Sequence, residues 1–189
     1  MYDRTEALLA AMRVAEKIVS RLEKRGELDR VREILLFGSC LKPDAETVSD
    51  IDMMIIDDGL LSEDARFHHH FRFCVAKTQG SKEGFLRFQF FNLCHFLLDL
   101  RSWKEVMDLT SGIPVDMHLY SEKLFTDPNH RGYWKGIHKD PYFYNHVFER
   151  VFRFNFETLE FELVDVRYFE EKYGVDLSDL QPVEEAAVA

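Results

Sequence analysis

The stretch Leu35–Ile56, LLFGSCLKPDAETVSDIDMMII, decides how this chain is read. Two apolar runs, each the length of a buried strand, flank a polar connection. The first run ends in Gly38-Ser39, and the second is headed by Asp50 and Asp52. A strand serving only a core gains nothing from paired carboxylates at its start. Residues two apart on a strand point to the same face, roughly 6.5–7 Å apart along the backbone, so Asp50 and Asp52 project together. Such charges repel unless a cation lies between them. Two divalent ions about 3.5–4 Å apart are a common arrangement for displacement at phosphorus. Mg²⁺ suits it because it takes carboxylate, water and phosphate oxygens together. Gly38 lets backbone approach a ligand closely. Exposed N–H groups at the following turn favour phosphate, and Ser39 adds a hydroxyl. The bland alternative for the four residues together is a tight turn followed by a capped strand start.

Outward from this stretch, apolar residues recur at helical spacing from Tyr2 to Lys24, and the pattern predicts an amphipathic helix stopped near Gly26. VREILLFG reads as a first strand and DIDMMIID as a second, with one helical turn allowed after Ser39. Ser62 to about Leu109 reads as mostly helical: a helix from Ser62 toward Ala76, a break at TQGSKEG, then a helix buried on several sides. SGIP is a turn. VDMHLYS is a third strand, with Val115, Met117 and Leu119 facing one way and Asp116, His118 and Tyr120 the other. A helix is expected around Tyr144–Phe152. The stretch after Asn155 carries both strand alternation and helix-like length and charge, and its reading favours helix. The fold class expected is α/β in the α+β sense, a small mixed sheet flanked by helices with a helix-rich C-terminal part. The organisation expected is a core over 1–121, a helical and loop extension over 122–180 packed on it, and a disordered tail over 181–189.

Composition narrows the classes of function. The 189 residues carry a formal net charge of −10, which argues against an extended nucleic-acid surface. Phe, with 17 copies, supplies core material that needs no polar partner. Cys40, Cys74 and Cys94 show neither metal-type pairing nor a disulfide framework. The first residues carry acids and do not read as a signal peptide, and no apolar run has membrane-spanning length. The expectation is a soluble, cytoplasmic protein with no membrane partner.

Several other features invite chemistry. Three consecutive histidines, His68 to His70, cannot share one helical face, so an exposed helix surface is the simpler reading. His118 shares a face with Asp116 and is read as a hydrogen-bonded structural residue or a substrate contact. His95 reads as a satisfied core residue. HRGYWKGIHK, His130–Lys139, interleaves cations with aromatics: Arg131 and Lys135 are candidate phosphate contacts, and Tyr133 or Trp134 a stacking surface. A solvated loop anchored by its aromatics accounts for the same pattern.

Taken together, Phe37-Gly38-Ser39, a ten-residue spacer, and Asp50-Ile51-Asp52-Met53 resemble the signature of the DNA polymerase β-like nucleotidyltransferase superfamily, and the chain's size resembles its minimal branch. Asp116 in VDMHLY matches the family's third acidic residue in context. The resemblance covers roughly a quarter of the chain. It implies a small mixed sheet with helices mainly on one side, and two Mg²⁺ (or Mn²⁺ in its place) on Asp50, Asp52 and Asp116. It implies attack by a hydroxyl on the α-phosphorus of an NTP with pyrophosphate release, and Gly38 and Ser39 gripping the terminal phosphates. The acceptor, whether protein hydroxyl, RNA end or small molecule, is not legible. The competing class is a nucleotide-binding module that works by association with a protein partner, as an antitoxin-like chain would.

Overall fold

The computed structural model of the chain describes residues 1–58, 68–73, 97–127 and 150–177. A first helix, α1, runs Arg4–Arg25, capped by the Asp3 side chain and closed at Gly26. Its buried stripe is Ala7, Ala10, Ala11, Val14, Ala15, Ile18, Val19 and Leu22. The alanines let the helix axis approach the sheet. The larger residues each contribute about 1.5–3 kcal/mol by leaving water. The two-residue strand β1, Tyr2–Asp3, pairs with β3, Thr47–Val48, and fastens the head of α1 to the polar connection.

The main sheet has six strands among the described residues: β2 (Val31–Phe37), β4 (Ile51–Asp57), β5 (His68–Phe73), β6 (Val115–Ser121), β7 (Val151–Asn155) and β8 (Glu160–Val164). Their order is β5-β6-β4-β2-β7-β8. Only β4 and β6 run parallel; the other neighbours are antiparallel. The sheet is therefore mixed and the class α+β. Strand alternation divides it cleanly. Ile34, Leu36, Met53, Ile55, Val115, Met117 and Leu119 pack in one apolar cluster with α1. Leu35, Phe37, Met54, Ile56 and Tyr120 pack on the other face with Phe125 and Phe169. Phe125 lies on the short helix α3, Lys123–Thr126, and Phe169 on α4, Val166–Tyr173; their rings stack with centroids 5.3 Å apart. No helix among the described residues is long and apolar enough to cross a membrane.

Four expectations need correction. His68–Phe73 is a strand paired with β6, not part of a helix. Its Phe71 and Phe73 alternate with His70 and Arg72, a period-two signal that the helical reading passed over. The buried helix expected up to Leu109 is interrupted: Asp99 has φ 51°, and a new helix, α2, runs Trp103–Thr110 with Ser102 accepting from the Glu105 N–H. Val151 and Phe152 belong to β7 rather than to a helix, because they find an open edge of β2. After Asn155, Glu160–Val164 pairs with β7 as a hairpin, and helix begins only at Val166, so the ambiguous stretch is strand then helix. The remainder of 59–96, the 130–139 motif, His95, Cys74, Cys94 and the tail lie outside the described residues.

One buried charge ties the C-terminal elements to the sheet. Glu33 is fully buried on β2. Its carboxylate accepts from Arg153 Nε at 3.0 Å, Lys172 Nζ at 2.5 Å and the Tyr173 hydroxyl at 2.9 Å. The Tyr168 hydroxyl lies 3.3 Å away, and the Arg153 guanidinium sits 5.1 Å from the centre of the Tyr168 ring. A buried carboxylate persists only when its oxygens are satisfied in this way.

Candidate metal centre

The carboxylates of Asp50, Asp52 and Asp116 converge, each offering an oxygen within 4.8 Å of the others, and all three residues are half-buried. Topology explains the convergence. β4 and β6 start side by side, with the Ile51 N–H donating to the Pro114 carbonyl at 2.8 Å. Parallel register then sets Asp52 opposite Asp116, and the antiparallel β2–β4 pairing sets Phe37 opposite Asp52. The end of β2, with the glycine that follows it, thus abuts the carboxylates. Asp50, just before β4, accepts a hydrogen bond from the Ser49 hydroxyl.

Gly38 opens a 3₁₀ turn, Gly38–Leu41, at φ 72°, a left-handed conformation that disfavours a side chain. A Cβ there would overlap Asp52 Oδ2 and stand 2.9 Å from Asp52 Cγ. Both space and backbone therefore demand glycine. Replacing Gly38 with Ala is expected to cost about 1–2 kcal/mol from backbone strain alone. It should also displace the Asp52 carboxylate, so thermal melting and Mn²⁺ titration should both deteriorate. A G38A protein with wild-type Mn²⁺ affinity would show that the close approach is incidental.

Ser39 Oγ is buried and has no hydrogen-bond partner among the described residues, which is costly in a finished core and ordinary in a site built for a ligand. The turn is held from behind: Arg4 Nε donates to the Cys40 carbonyl at 3.0 Å, and Cys40 Sγ donates to the Asp50 carbonyl at 3.8 Å. Burial pushes the Cys40 thiol up to about 12, with Asp52 and then Asp50 adding to the shift and Arg4 opposing it. Cys40 is therefore an inert packing residue, not a nucleophile.

His118 is buried beside the site, its ring tilted against Phe37 at 5.7 Å and stacked on Tyr120 at 6.3 Å. That environment fits the structural reading of this histidine. Asp116, matched to the signature's third acidic residue by context and strand alternation, lies in one group with Asp50 and Asp52, and Gly38 stands against Asp52. Arg131 and Lys135, the candidate phosphate contacts, lie outside the described residues. Sequence reasoning missed two features. One is the Arg4 brace, which no motif marks. The other is the register of β5, which pairs Arg72 with Asp116.

An all-oxygen set of three carboxylates is of a kind that suits hard divalent cations such as Mg²⁺, Mn²⁺ or Ca²⁺. The three carboxylates together could hold a metal ion. Comparisons with protein-family models, with curated proteins and with solved structures return no match.

Proposed function

We propose that the chain is a metal-dependent nucleotidyltransferase that moves an NMP from an NTP to a hydroxyl acceptor and releases pyrophosphate. The observation that carries this reading is the convergence of Asp50, Asp52 and Asp116 beside the Gly38-Ser39 turn, where only glycine fits against Asp52. An acidic cluster alone is a common surface feature. An acidic cluster against a glycine turn with a buried, unpartnered serine hydroxyl supports the reading of a site for a phosphorylated, metal-bound ligand.

In this reading Asp50, Asp52 and Asp116 would hold the divalent cations, which neutralise phosphate charge and acidify the attacking hydroxyl. Gly38 leaves room for the phosphates, and Ser39 Oγ donates a hydrogen bond to them. The acceptor oxygen forms a bond to the α-phosphorus as the bond to the pyrophosphate oxygen breaks. Asp116, on the strand beside Asp52, takes the acceptor's proton. The family resemblance of the signature points to the same chemistry by analogy.

Incubating the protein with each α-³²P-labelled NTP, Mg²⁺ and a cell lysate, beside an Asp50→Ala/Asp52→Ala control, tests the proposal. Label that reaches a protein, RNA or small molecule only with the intact aspartates is the expected result, and it names the acceptor class. Mg²⁺-dependent NTP binding without transfer would move the reading to a nucleotide-binding module. Neither binding nor transfer would remove the site assignment.

A further inference from the structure

Arg4 bonds to both ends of the loop that leads from the glycine turn toward Asp50. Its backbone N–H donates to the Glu46 carbonyl at 3.0 Å, and its side-chain Nε donates to the Cys40 carbonyl at 3.0 Å. The two residues before it continue the attachment, with Tyr2 opposite Val48 and Asp3 opposite Thr47. Cys40 is bonded in turn through Sγ to the Asp50 carbonyl at 3.8 Å. A path of hydrogen bonds thus runs from Arg4 through Cys40 to the main chain of a candidate metal ligand. It passes one residue from the buried Ser39 hydroxyl.

An arginine in this place is unusual for its lack of an acid. It is half-buried, and among the described residues it forms no ion pair, in a chain where acids outnumber Lys and Arg by 34 to 24. Its neighbour Asp3 is engaged by the Glu6 N–H. Asp52 and Asp50 act on the Cys40 thiol in one sense and Arg4 in the other, so Cys40 lies within reach of all three charges. A charged donor holds a carbonyl roughly twice as strongly as a neutral one, which suits a turn that begins at the left-handed φ of Gly38.

We propose that Arg4 is a positioning residue for this site: by holding the Cys40 carbonyl it fixes the Gly38–Leu41 turn where the turn receives the phosphates. The inference rests on the nucleotidyltransferase reading and extends it. The competing explanation is a brace that only stabilises the fold. It predicts a lower melting temperature and an unchanged affinity wherever the protein remains folded.

Three substitutions in the full chain separate the hydrogen bond from the charge. Arg4→Gln keeps a donor nitrogen at the position of Nε and loses the charge. Arg4→Met keeps the stem and loses both. Arg4→Lys keeps the charge with its donor one atom further out. Each variant would be melted by circular dichroism and assayed at a temperature where it is fully folded. Mn²⁺ binding alone would be followed by electron paramagnetic resonance, and binding of an α,β-methylene NTP analogue with Mn²⁺ by calorimetry. The expected result for R4M is a loss of about 10-fold in analogue affinity, the lower end of the range for groups that orient a ligand from behind, with a smaller loss for Mn²⁺ alone. R4Q should bind close to wild type and R4K less well than R4Q, an order that tests the same point without R4M. An R4M protein that melts lower yet binds the analogue as wild type does would reduce Arg4 to a brace and leave the carboxylate site standing. R4K binding better than R4Q would assign the effect to charge and overturn the positioning role. Wild-type protein that binds Mn²⁺ but not the analogue would overturn the nucleotide reading and the role of Arg4 with it. Wild-type protein that binds neither would remove the site altogether.

Discussion

Replacing Asp52 with Asn should abolish metal-dependent nucleotide binding and transfer while leaving the metal-free protein as stable as wild type, or more so. Asp52 is the central member of the site: it stands opposite Phe37 on one side and Asp116 on the other, with its carboxylate pressed over Gly38. Removing one electrostatic partner from a preorganised site costs about 10²–10³-fold in rate, and a directly ligating group belongs at the upper end of that range. Stability should move the other way. Two like charges 4 Å apart repel by about 1 kcal/mol in water and about 4 kcal/mol near a protein surface. An asparagine keeps the shape and relieves part of that repulsion. Differential scanning calorimetry with and without Mn²⁺ reads both effects. Wild type should gain stability from the ion, and D52N should not. A D52N protein that melts several degrees lower yet retains its Mn²⁺-dependent shift would mark Asp52 as a structural residue.

Glu33→Ala should destabilise the protein more than any substitution at the metal centre. The change leaves Arg153, Lys172, Tyr168 and Tyr173 grouped around nothing. Breaking a buried ion pair by removing one partner costs about 3–5 kcal/mol, which for a chain of this size lowers the melting temperature by roughly 6–20 °C. The damage should concentrate where the network leads, in β7, β8 and α4, so hydrogen exchange there should accelerate more than in α1. Alkali should imitate the mutation. Burial raises the Tyr173 and Tyr168 hydroxyls above their ordinary range, with the nearby Glu33 charge adding to the shift of each. A group whose pKa is raised by folding contributes its stability below the unfolded value, near 10 for tyrosine, and loses it as pH climbs through the folded value. Wild-type stability should therefore fall above about pH 10, and less steeply in E33A. A flat profile in wild type would show that the tyrosines are not held as described.

Much of the site is legible from local sequence because it obeys period-two geometry. Asp50 and Asp52 sit at a strand head, and Asp116 takes the polar side of VDMHLYS. These are decided by alternation, which survives folding unchanged. What was not legible depends on partners distant in the chain. His68–Phe73 is short and rich in histidine, and only the open edge of β6 makes it a strand. Val151–Asn155 likewise becomes β7 because β2 has a free side. Glu33 reads as one more surface acid in VREILLF until four residues from 153 onward are seen to close over it. Leu159 at φ 58° closes the turn of the β7–β8 hairpin, and there a local signal does exist: Asn155 Oδ1 accepts from the Glu157 and Thr158 N–H groups at 2.9 and 3.2 Å.

The parallel pairing of β4 with β6 also bears on the order in which the molecule is made. β2 and β4 are joined by a short connection and pair antiparallel, so they can meet early. β6 must return past β5 and α2 before Asp116 comes level with Asp52. Closing so long a segment is slow, because its entropy is lost before its contacts form. The three carboxylates therefore come together only once β4 and β6 meet in register, and a chain without that pairing has no complete ion site. A divalent ion that recognises the finished trio adds its binding free energy to the native state alone. For this chain, metal affinity would double as a test of whether β4 and β6 have met in register.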